Sequence, residues 1–349
     1  QLANNASIQS PQDAVNAKLI DAVKYDDEIK SELKQKLGIG KTDKLHLLSI
    51  NKYHEAVTVR TFGKDRIAVI YAEGNIIDGE GNSQSIGGDN FRKIIRRARM
   101  DDAVKAIVLR VNSGGGSALA SEIIWRELQM AKQDGKPIIV SFGDVAASGG
   151  YYIACGADSI FASPNTITGS IGVFGVIPNM EGFFKNKLGI TFDGVKTGPY
   201  ADGPSGIRPM NEGEKQQVQN SIDRIYLQFK QRVAQGRKKD INYIDSIAQG
   251  RVWSGEDAVQ LGLVDRVGSL EDAINCAARM AKLTTFGLKE YPQTGSWLDE
   301  LFKKNKKKPE AKLRKELGED NFKVYKEMMR IKEMTNSIQA RVPFEFLIH

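Results

Sequence analysis

The sequence predicts an α/β fold built of βαβ units, and three observations carry that expectation. From residue 66 onward, short β-rich runs alternate with amphipathic helical patterns. The runs are apolar at nearly every position rather than at every second one, as strands buried on both faces of a parallel sheet are. Two serine- and glycine-rich segments, Asn112-Ser-Gly-Gly-Gly-Ser117 and the stretch around Ser148, fall just beyond such runs, and open α/β folds collect their working residues at the carboxyl ends of strands.

In chain order, Arg66-Ile-Ala-Val-Ile-Tyr-Ala72 reads as the first buried strand, followed by a helix near 89–100. Lys105-Ala-Ile-Val-Leu-Arg-Val111 and a helix near 117–133 repeat the pattern, and Pro137-Ile-Ile-Val-Ser-Phe142 opens it a third time, leading into the segment at Ser148. The longest uncharged run, Ser159 to Met180, spans 22 residues, but Pro164, Asn165 and Gly169, Gly172 and Gly175 break it into strand and loop rather than a membrane helix. No signal peptide or transmembrane helix is evident in these residues.

Composition narrows the function classes. The chain has 349 residues, 41% apolar and 27% charged, ordinary for a globular protein large enough for a substantial core. Two cysteines, Cys155 and Cys276, both in apolar stretches, are too few for a disulfide framework and read as buried free thiols. No cofactor or metal-ligand cluster is expected. The net charge of +7 resides entirely between Lys303 and Lys315, where eight basic residues accompany one acid. It reads as a solvated linker, with attraction to anionic lipid as the other reading, and no aromatic-interleaved basic surface points to nucleic acid.

Ser148 lies in Ala146-Ala-Ser-Gly-Gly-Tyr-Tyr152. Gly149 and Gly150 would let a carbonyl approach the backbone, and a helix starting there would turn free N–H groups toward a developing oxyanion; the competing reading is a serine capping an ordinary helix. The three histidines, His46, His54 and His349, leave residues 55–348 without an imidazole, which argues against a Ser-His-Asp triad. A nucleophilic Ser148 would then need a lysine whose burial favours the free amine.

The chain also carries an internal similarity. Ser10-Pro-Gln-Asp-Ala-Val-Asn-Ala-Lys-Leu-Ile-Asp-Ala-Val23 aligns without gaps on Ser254-Gly-Glu-Asp-Ala-Val-Gln-Leu-Gly-Leu-Val-Asp-Arg-Val267 with seven of fourteen positions identical. Each copy runs into an amphipathic helical stretch, 26–37 and 270–283. This reads as a repeat of which the first copy keeps only its tail, so that the chain would be the second half of a longer protein. The expected division is 1–44, the tail of the truncated repeat with a linker; 45–290, the nucleophile-bearing domain; and 291–349, a basic helical tail. In that tail Trp297, Leu298, Leu301 and Phe302, then Phe322, Tyr325, Met328, Met329 and Ile331, have helical apolar spacing, and Val342–Ile348 is apolar enough to need a groove to lie in.

The Val111-Asn-Ser-Gly-Gly-Gly-Ser loop, the Ser148 segment, Thr168-Gly-Ser-Ile-Gly-Val-Phe-Gly175 and Gln249-Gly-Arg-Val-Trp-Ser-Gly-Glu-Asp-Ala258 together resemble the signal peptide peptidase A (protease IV) family over roughly residues 45–285. The resemblance implies a Clp-protease-like, crotonase-type α/β fold and a Ser/Lys dyad that degrades signal-peptide remnants and other short hydrophobic peptides. It also implies homo-oligomers and a membrane-anchored full-length protein at a bacterial inner membrane, with the catalytic part facing the periplasm. Carried onto this sequence it makes Ser148 the nucleophile, Gly115, Gly116 and Gly149 the oxyanion donors, and Ser170 the hydroxyl that orients the lysine. The sequence departs from short family members at Val195-Lys-Thr-Gly-Pro-Tyr-Ala-Asp202, where Ala201 stands in the place of the lysine. Long members take that lysine from their first half, so the general base is expected outside this chain, with Lys196 as the internal alternative. Two competing readings are a crotonase-type acyl-CoA enzyme and a catalytically incomplete assembly half.

Overall fold

The computed structural model describes residues 7–49, 53, 64–82, 84–198, 200–292, 322, 325 and 338–341. The chain divides into two compact units, Gln1–Arg60 and Thr61–His349.

The first unit contains helices α1 (Pro11–Asn16) and α2 (Asp26–Leu37). Its local geometry reproduces that of α8 (Gly255–Gln260) and α9 (Leu270–Met280) in the second unit, at the offset the sequence alignment gives. Ser10 caps α1 by accepting the Asp13 amide, as Ser254 caps α8 by accepting that of Asp257. Glu28 accepts the Tyr25 amide at 2.7 Å, and Asp272 accepts that of Ser269 at 2.8 Å. The left-handed residues coincide as well: Lys18 with Gly262 (φ 58° and 71°) and Gly38 with Lys282 (φ 66° and 56°). Burial does not follow the geometry. Leu263 and Val264 are buried in the main core, whereas their counterparts Leu19 and Ile20 are exposed.

The second unit is built on a sheet whose strands are β1 (Arg66–Glu73), β4 (Val104–Ser113), β6 (Ile138–Ala147), β7 (Ser159–Ala162), β8 (Ile167–Gly169), β10 (Val252–Ser254), β11 (Arg266–Val267) and β12 (Gly287–Tyr291). The order is β10-β8-β6-β4-β1-β12, with β7 beside the first half of β6 and β11 beyond β7. All pairings are parallel except β10 with β8. The expected strands and the helices α3 (Gly88–Arg99) and α4 (Ala118–Gln133) fall within a few residues of their predicted bounds.

Strand residues alternate between two cores, which explains the continuous apolar runs. Ala68, Ile70, Ile107, Leu109, Ile138 and Val140 face the main core with Phe91, Ile94, Ile95 and Ala98 of α3, spaced to line one side of that helix. Ile67, Val69, Ala106, Val108 and Ile139 pack on Ala273, Cys276 and Ala277 of α9. Cys155 and Cys276 are buried free thiols.

A smaller sheet lies at the carboxyl end of the main strands, in the order β3-β2-β5-β13-β9. Its members are β2 (Asn75–Ile77), β3 (Ser85–Gly87), β5 (Gly115–Ser117), β9 (Phe174–Gly175) and β13 (Ile338–Arg341). β13 is a strand inside the region expected to be helical. Elsewhere in that region Phe322 and Tyr325 are helical, with rings stacked at 6.2 Å between centroids. The lysine-rich segment, the 297–302 stripe, Met328, Met329 and Ile331, and the 342–348 run lie outside the described residues.

Candidate active site

The site forms where β4 and β6 end side by side. β6 runs to Ala147, and Ser148 then turns the chain into the six-residue helix α5 (Gly149–Ala154). Ser148 occupies the N-cap position but makes no side-chain cap bond, and its backbone is at φ 52°, ψ −115°. The capping reading is therefore set aside, because a capping serine is extended and accepts an amide from the first turn. A non-glycine residue held in such a conformation costs about 1–3 kcal/mol and persists only where its surroundings fix it. Those surroundings are explicit. The Ser148 amide donates to the Gly169 carbonyl at 2.9 Å and its carbonyl accepts from Tyr152 at 2.7 Å. Among the described residues the hydroxyl makes only a long contact, 3.4 Å, to the Gly172 carbonyl.

Ser170 follows Gly169 and is strained in the same sense, at φ 47°. Its amide donates to the Arg251 carbonyl at 2.6 Å. Thr168 anchors the preceding strand by donating its hydroxyl to the Ala146 carbonyl at 2.7 Å. Segments 146–149 and 168–172 are thus zipped together, and both serines are buried.

The predicted oxyanion glycines have different surroundings. Gly149 is the first residue of α5, so its amide has no carbonyl four residues back to bond. A helix this short contributes that amide rather than a sizeable dipole. A Cβ added at Gly149 would come within 2.8 Å of the Ala340 carbonyl oxygen, and one at Gly115 (φ 99°) within 2.1 Å of the same atom and 2.6 Å of the Gly149 nitrogen. Gly115 and Gly149 therefore flank one carbonyl-sized position. The Gly115 amide itself donates to Ser113 Oγ at 3.1 Å. A Cβ at Gly116 (φ 154°) would lie 1.9 Å from the Ile76 carbonyl oxygen where β2 meets β5, so no side chain fits there.

Ser113 is a site residue that reasoning from sequence did not single out. Its hydroxyl holds the Gly115 turn, and its carbonyl leaves no space for a side chain at Gly150. The signal was its place directly between a buried strand and three glycines. β13 was missed as well, although Ile338, Ala340 and Val342 alternate with polar residues as a strand does.

Lys196 stands apart. It pairs with Asp202 at 3.0 Å on a surface segment and lines a cavity of about 610 Å³ with Glu181, Phe192 and Arg208, into which none of the serines or glycines above opens. Lys196 and Arg208 hold the Asp202 carboxyl below its usual range. Its amine is thus engaged by Asp202 rather than by any of the serines above. Ala201 is exposed on the same segment.

Comparison with known proteins now bears on this geometry. The family model for peptidase family S49 matches residues 130–284, which include Ser148 and Ser170. A putative signal peptide peptidase SppA from Enterococcus faecium is 38% identical over 242 residues, covering 67% of this chain and 70% of its own length. The chain belongs to the signal peptide peptidase A family, peptidase family S49. A putative protease from Methanocaldococcus jannaschii is 37% identical over 67% of this chain and 76% of its length. Protease 4 from Salmonella typhi is 44% identical over 286 residues, 82% of this chain but 46% of that protein. The S49 chain thus spans about half the length of the Protease 4 relative. Among solved structures, the ClpP1 N165D mutant from Listeria monocytogenes overlaps 60% of this chain and 94% of its own at 17% identity and a TM-score of 0.39, too loose an overlap to support an argument.

Proposed function

We propose that this S49 chain is the nucleophile-bearing part of a serine peptidase that works with a Ser/Lys pair on short hydrophobic peptides, signal-peptide remnants among them. Ser148 is the nucleophile, Gly149 with the Gly115 turn receives the oxyanion, and Ser170 orients the lysine amine. One observation carries the reading. Ser148 is a buried serine at a helix N-cap that caps nothing and is held instead in a strained backbone beside a carbonyl-sized position flanked by two glycines. Strain of this kind is retained where it sets the aim of a reacting group.

The lysine comes from outside the chain, from the preceding half of a longer protein. Three features support this: Ala201 in the family's lysine position, the pairing of Lys196 with Asp202, and the first unit's local copy of α8–α9, whose Leu19 and Ile20 lack the burial of Leu263 and Val264. Met180, Phe183, Leu188, Phe192 and Val195 are exposed along one segment of the second unit, which suits contact with that half or with neighbouring subunits of an oligomer. The whole protein is placed at a bacterial inner membrane with the site facing the periplasm. Among the described residues no helix is long and apolar enough to cross a membrane.

The test compares hydrolysis of a fluorogenic hydrophobic peptide by the 349-residue chain with that by a longer protein carrying the preceding half. The expected result is Ser148-dependent turnover only in the longer protein, since loss of one member of a concerted pair typically forfeits several orders of magnitude in rate. Robust hydrolysis by the chain alone, abolished by Lys196→Ala, overturns the assignment of the base.

A further inference from the structure

The strained backbone of Ser148 is only as fixed as the groups that hold it, and one of them leads away from the site. The Ser148 carbonyl accepts from the Tyr152 amide, one turn further along α5. Tyr152 is 2% exposed, and its hydroxyl donates to Glu122 Oε2 of α4 at 2.6 Å. Glu122 Oε1 in turn accepts from Arg232 Nη2 at 2.7 Å, on the long helix α6 (Glu212–Arg237). The Arg232 guanidinium lies over the Trp125 ring, 4.0 Å from its centroid, and the Phe229 ring packs on that of Tyr152 at 4.6 Å. Residues of α4 and α6 thus clamp α5 through a charged cluster and two aromatic contacts.

The same helix is registered to the other serine. Tyr226 Oη accepts from the Gln249 amide at 3.0 Å, and Lys230 pairs with Asp245 at 2.6 Å. The loop so held supplies the Arg251 carbonyl that receives the Ser170 amide. α6 therefore meets the segment of Ser170 through Tyr226 and Lys230, and that of Ser148 through Phe229 and Arg232. The charged cluster is a poor source of stability. Arg232 Nε and Trp125 Nε1 are buried and meet no acceptor among the described residues. Removing charges and donors from water without full pairing is costly, and an apolar set of similar volume is often as stable or more so. What the cluster adds is direction, because a hydrogen bond to a carboxylate fixes where a hydroxyl sits and apolar packing does not.

We propose that Tyr152, Glu122 and Arg232 are positioning residues of the peptidase site: their hydrogen-bonded chain sets the rotation of α5, and with it the aim of the Ser148 hydroxyl and the Gly149 amide relative to Ser170. The inference rests on reading Ser148 as the nucleophile. It extends that reading to three side chains that act through the backbone of α5 rather than on the substrate.

The test separates aim from stability. In the longer protein carrying the preceding half, Tyr152→Phe keeps the ring and its contact with Phe229 and removes only the hydroxyl. Turnover of a fluorogenic peptide is expected to fall by roughly tenfold to a hundredfold in kcat, with KM changed by less than about twofold, since a small misplacement of a reacting group is costly to the rate. Combining Tyr152→Phe with Glu122→Leu and Arg232→Met replaces the whole cluster by apolar side chains. That variant is expected to melt at or above the temperature of the unaltered protein while its kcat stays as low as that of Tyr152→Phe alone, because both break one linkage. Hydrogen exchange in the 349-residue chain reads the clamp without turnover. The Tyr152 and Cys155 amides, bonded to the Ser148 and Tyr151 carbonyls, should exchange faster in both variants while β4 keeps its protection.

A kcat for Tyr152→Phe equal to that of the unaltered protein overturns the proposal, as does unchanged exchange at those two amides. A melting temperature of the combined variant that falls in step with its rate overturns it too, by making the cluster ordinary cement of the fold. If the longer protein shows no Ser148-dependent hydrolysis at all, the peptidase reading fails, while the exchange measurement still decides whether the cluster holds α5.

Discussion

The amide of Ser148 donates to the carbonyl of Gly169 at 2.9 Å, and this bond joins the two strained serines of the site, since Ser170 follows directly on Gly169. Both serines have positive φ, 52° and 47°, in segments that pair as β6 and β8. The sheet ladder continues to the edge of Ser148 and supplies the rigidity that the strain requires. Among the described residues the Ser148 hydroxyl is bound only by a long contact.

Replacing Ser148 separates strain from function. Ser148→Gly removes the Cβ that makes φ 52° costly, so the chain is expected to gain about 1 kcal/mol of stability. The same change abolishes turnover in the longer protein. Urea denaturation and peptide hydrolysis measured on one preparation check both outcomes, and a loss of stability would show that Ser148 is held without strain.

Gly149 and Gly116 are predicted to fail in different ways. Gly116→Ala drives a Cβ to 1.9 Å from the Ile76 carbonyl oxygen at a left-handed backbone, so it is a folding defect of several kcal/mol. Gly149→Ala meets the Ser121 hydroxyl, a side-chain atom, and the Ala340 carbonyl, a backbone atom that must shift by a few tenths of an ångström, each at 2.8 Å. Its stability falls by about 1–2 kcal/mol while turnover in the longer protein falls a hundredfold or more, because the methyl crowds the position toward which the Gly149 amide points although the amide itself remains. Comparable melting temperatures for the two variants would contradict the division of roles.

The segment after β9 is fastened by acid-sensitive pairs. Glu214, buried in the first turn of α6 (Glu212–Arg237), receives both Arg208 nitrogens and the Asn211 amide. The Arg208 guanidinium and that amide hold its carboxyl near 2, against an ordinary value of 4.5. A depressed carboxyl pKa stabilises the folded state fully above the unfolded value, and that contribution fades as the pH falls from 4.5 toward about 2. Urea midpoints are therefore expected to fall across that window in the unaltered chain, with a shallower fall in Glu214→Gln. Parallel slopes would remove Glu214 from the account.

Cys155 is expected to be inert. Burial pushes its thiol up to about 12, leaving almost no thiolate at neutral pH. Maleimide labelling at pH 7.5 should modify Cys155 only in denaturant, as read by mass spectrometry of the peptide spanning it.

The repeat predicts a pair of opposite stability effects in α8–α9. Lys282 is left-handed where the first copy has Gly38, and Gly262 is left-handed where the first copy has Lys18. Lys282→Gly is expected to stabilise by about 0.5–1 kcal/mol, and Gly262→Ala to destabilise by 1 kcal/mol or more, roughly, since its Cβ also meets Lys239 Cε at 2.8 Å. Chemical denaturation of the two variants against the parent checks the signs.

The strands, the helices around them and the position of Ser148 were legible because each depends on short-range pattern. Buried strands are apolar throughout, α3 shows its buried side at helical spacing, and Ser148 stands among small residues directly after a strand. The division of labour among the glycines was not legible. Gly115, Gly116, Gly149 and Gly150 look alike in sequence, and only the atom facing each missing Cβ distinguishes a carbonyl-sized position from a packing contact. β13 escaped because a four-residue strand acquires its meaning from the partners on either side, here β5 and β9, far away in the chain.

By itself the sequence determined the α/β class, the candidate serine, the lack of histidine between residues 55 and 348, and the internal repeat, whose caps and left-handed residues return at matching positions in the structure. Those properties are local, set by backbone preference and side-chain size over a few residues. The tertiary structure alone decided that Ser148 caps nothing, that Lys196 is held by Asp202, that Gly116 lies against Ile76, and that Ala340 turns its carbonyl toward Gly115 and Gly149. Each of these is a contact between residues that fold topology, rather than neighbouring sequence, brings within a few ångströms.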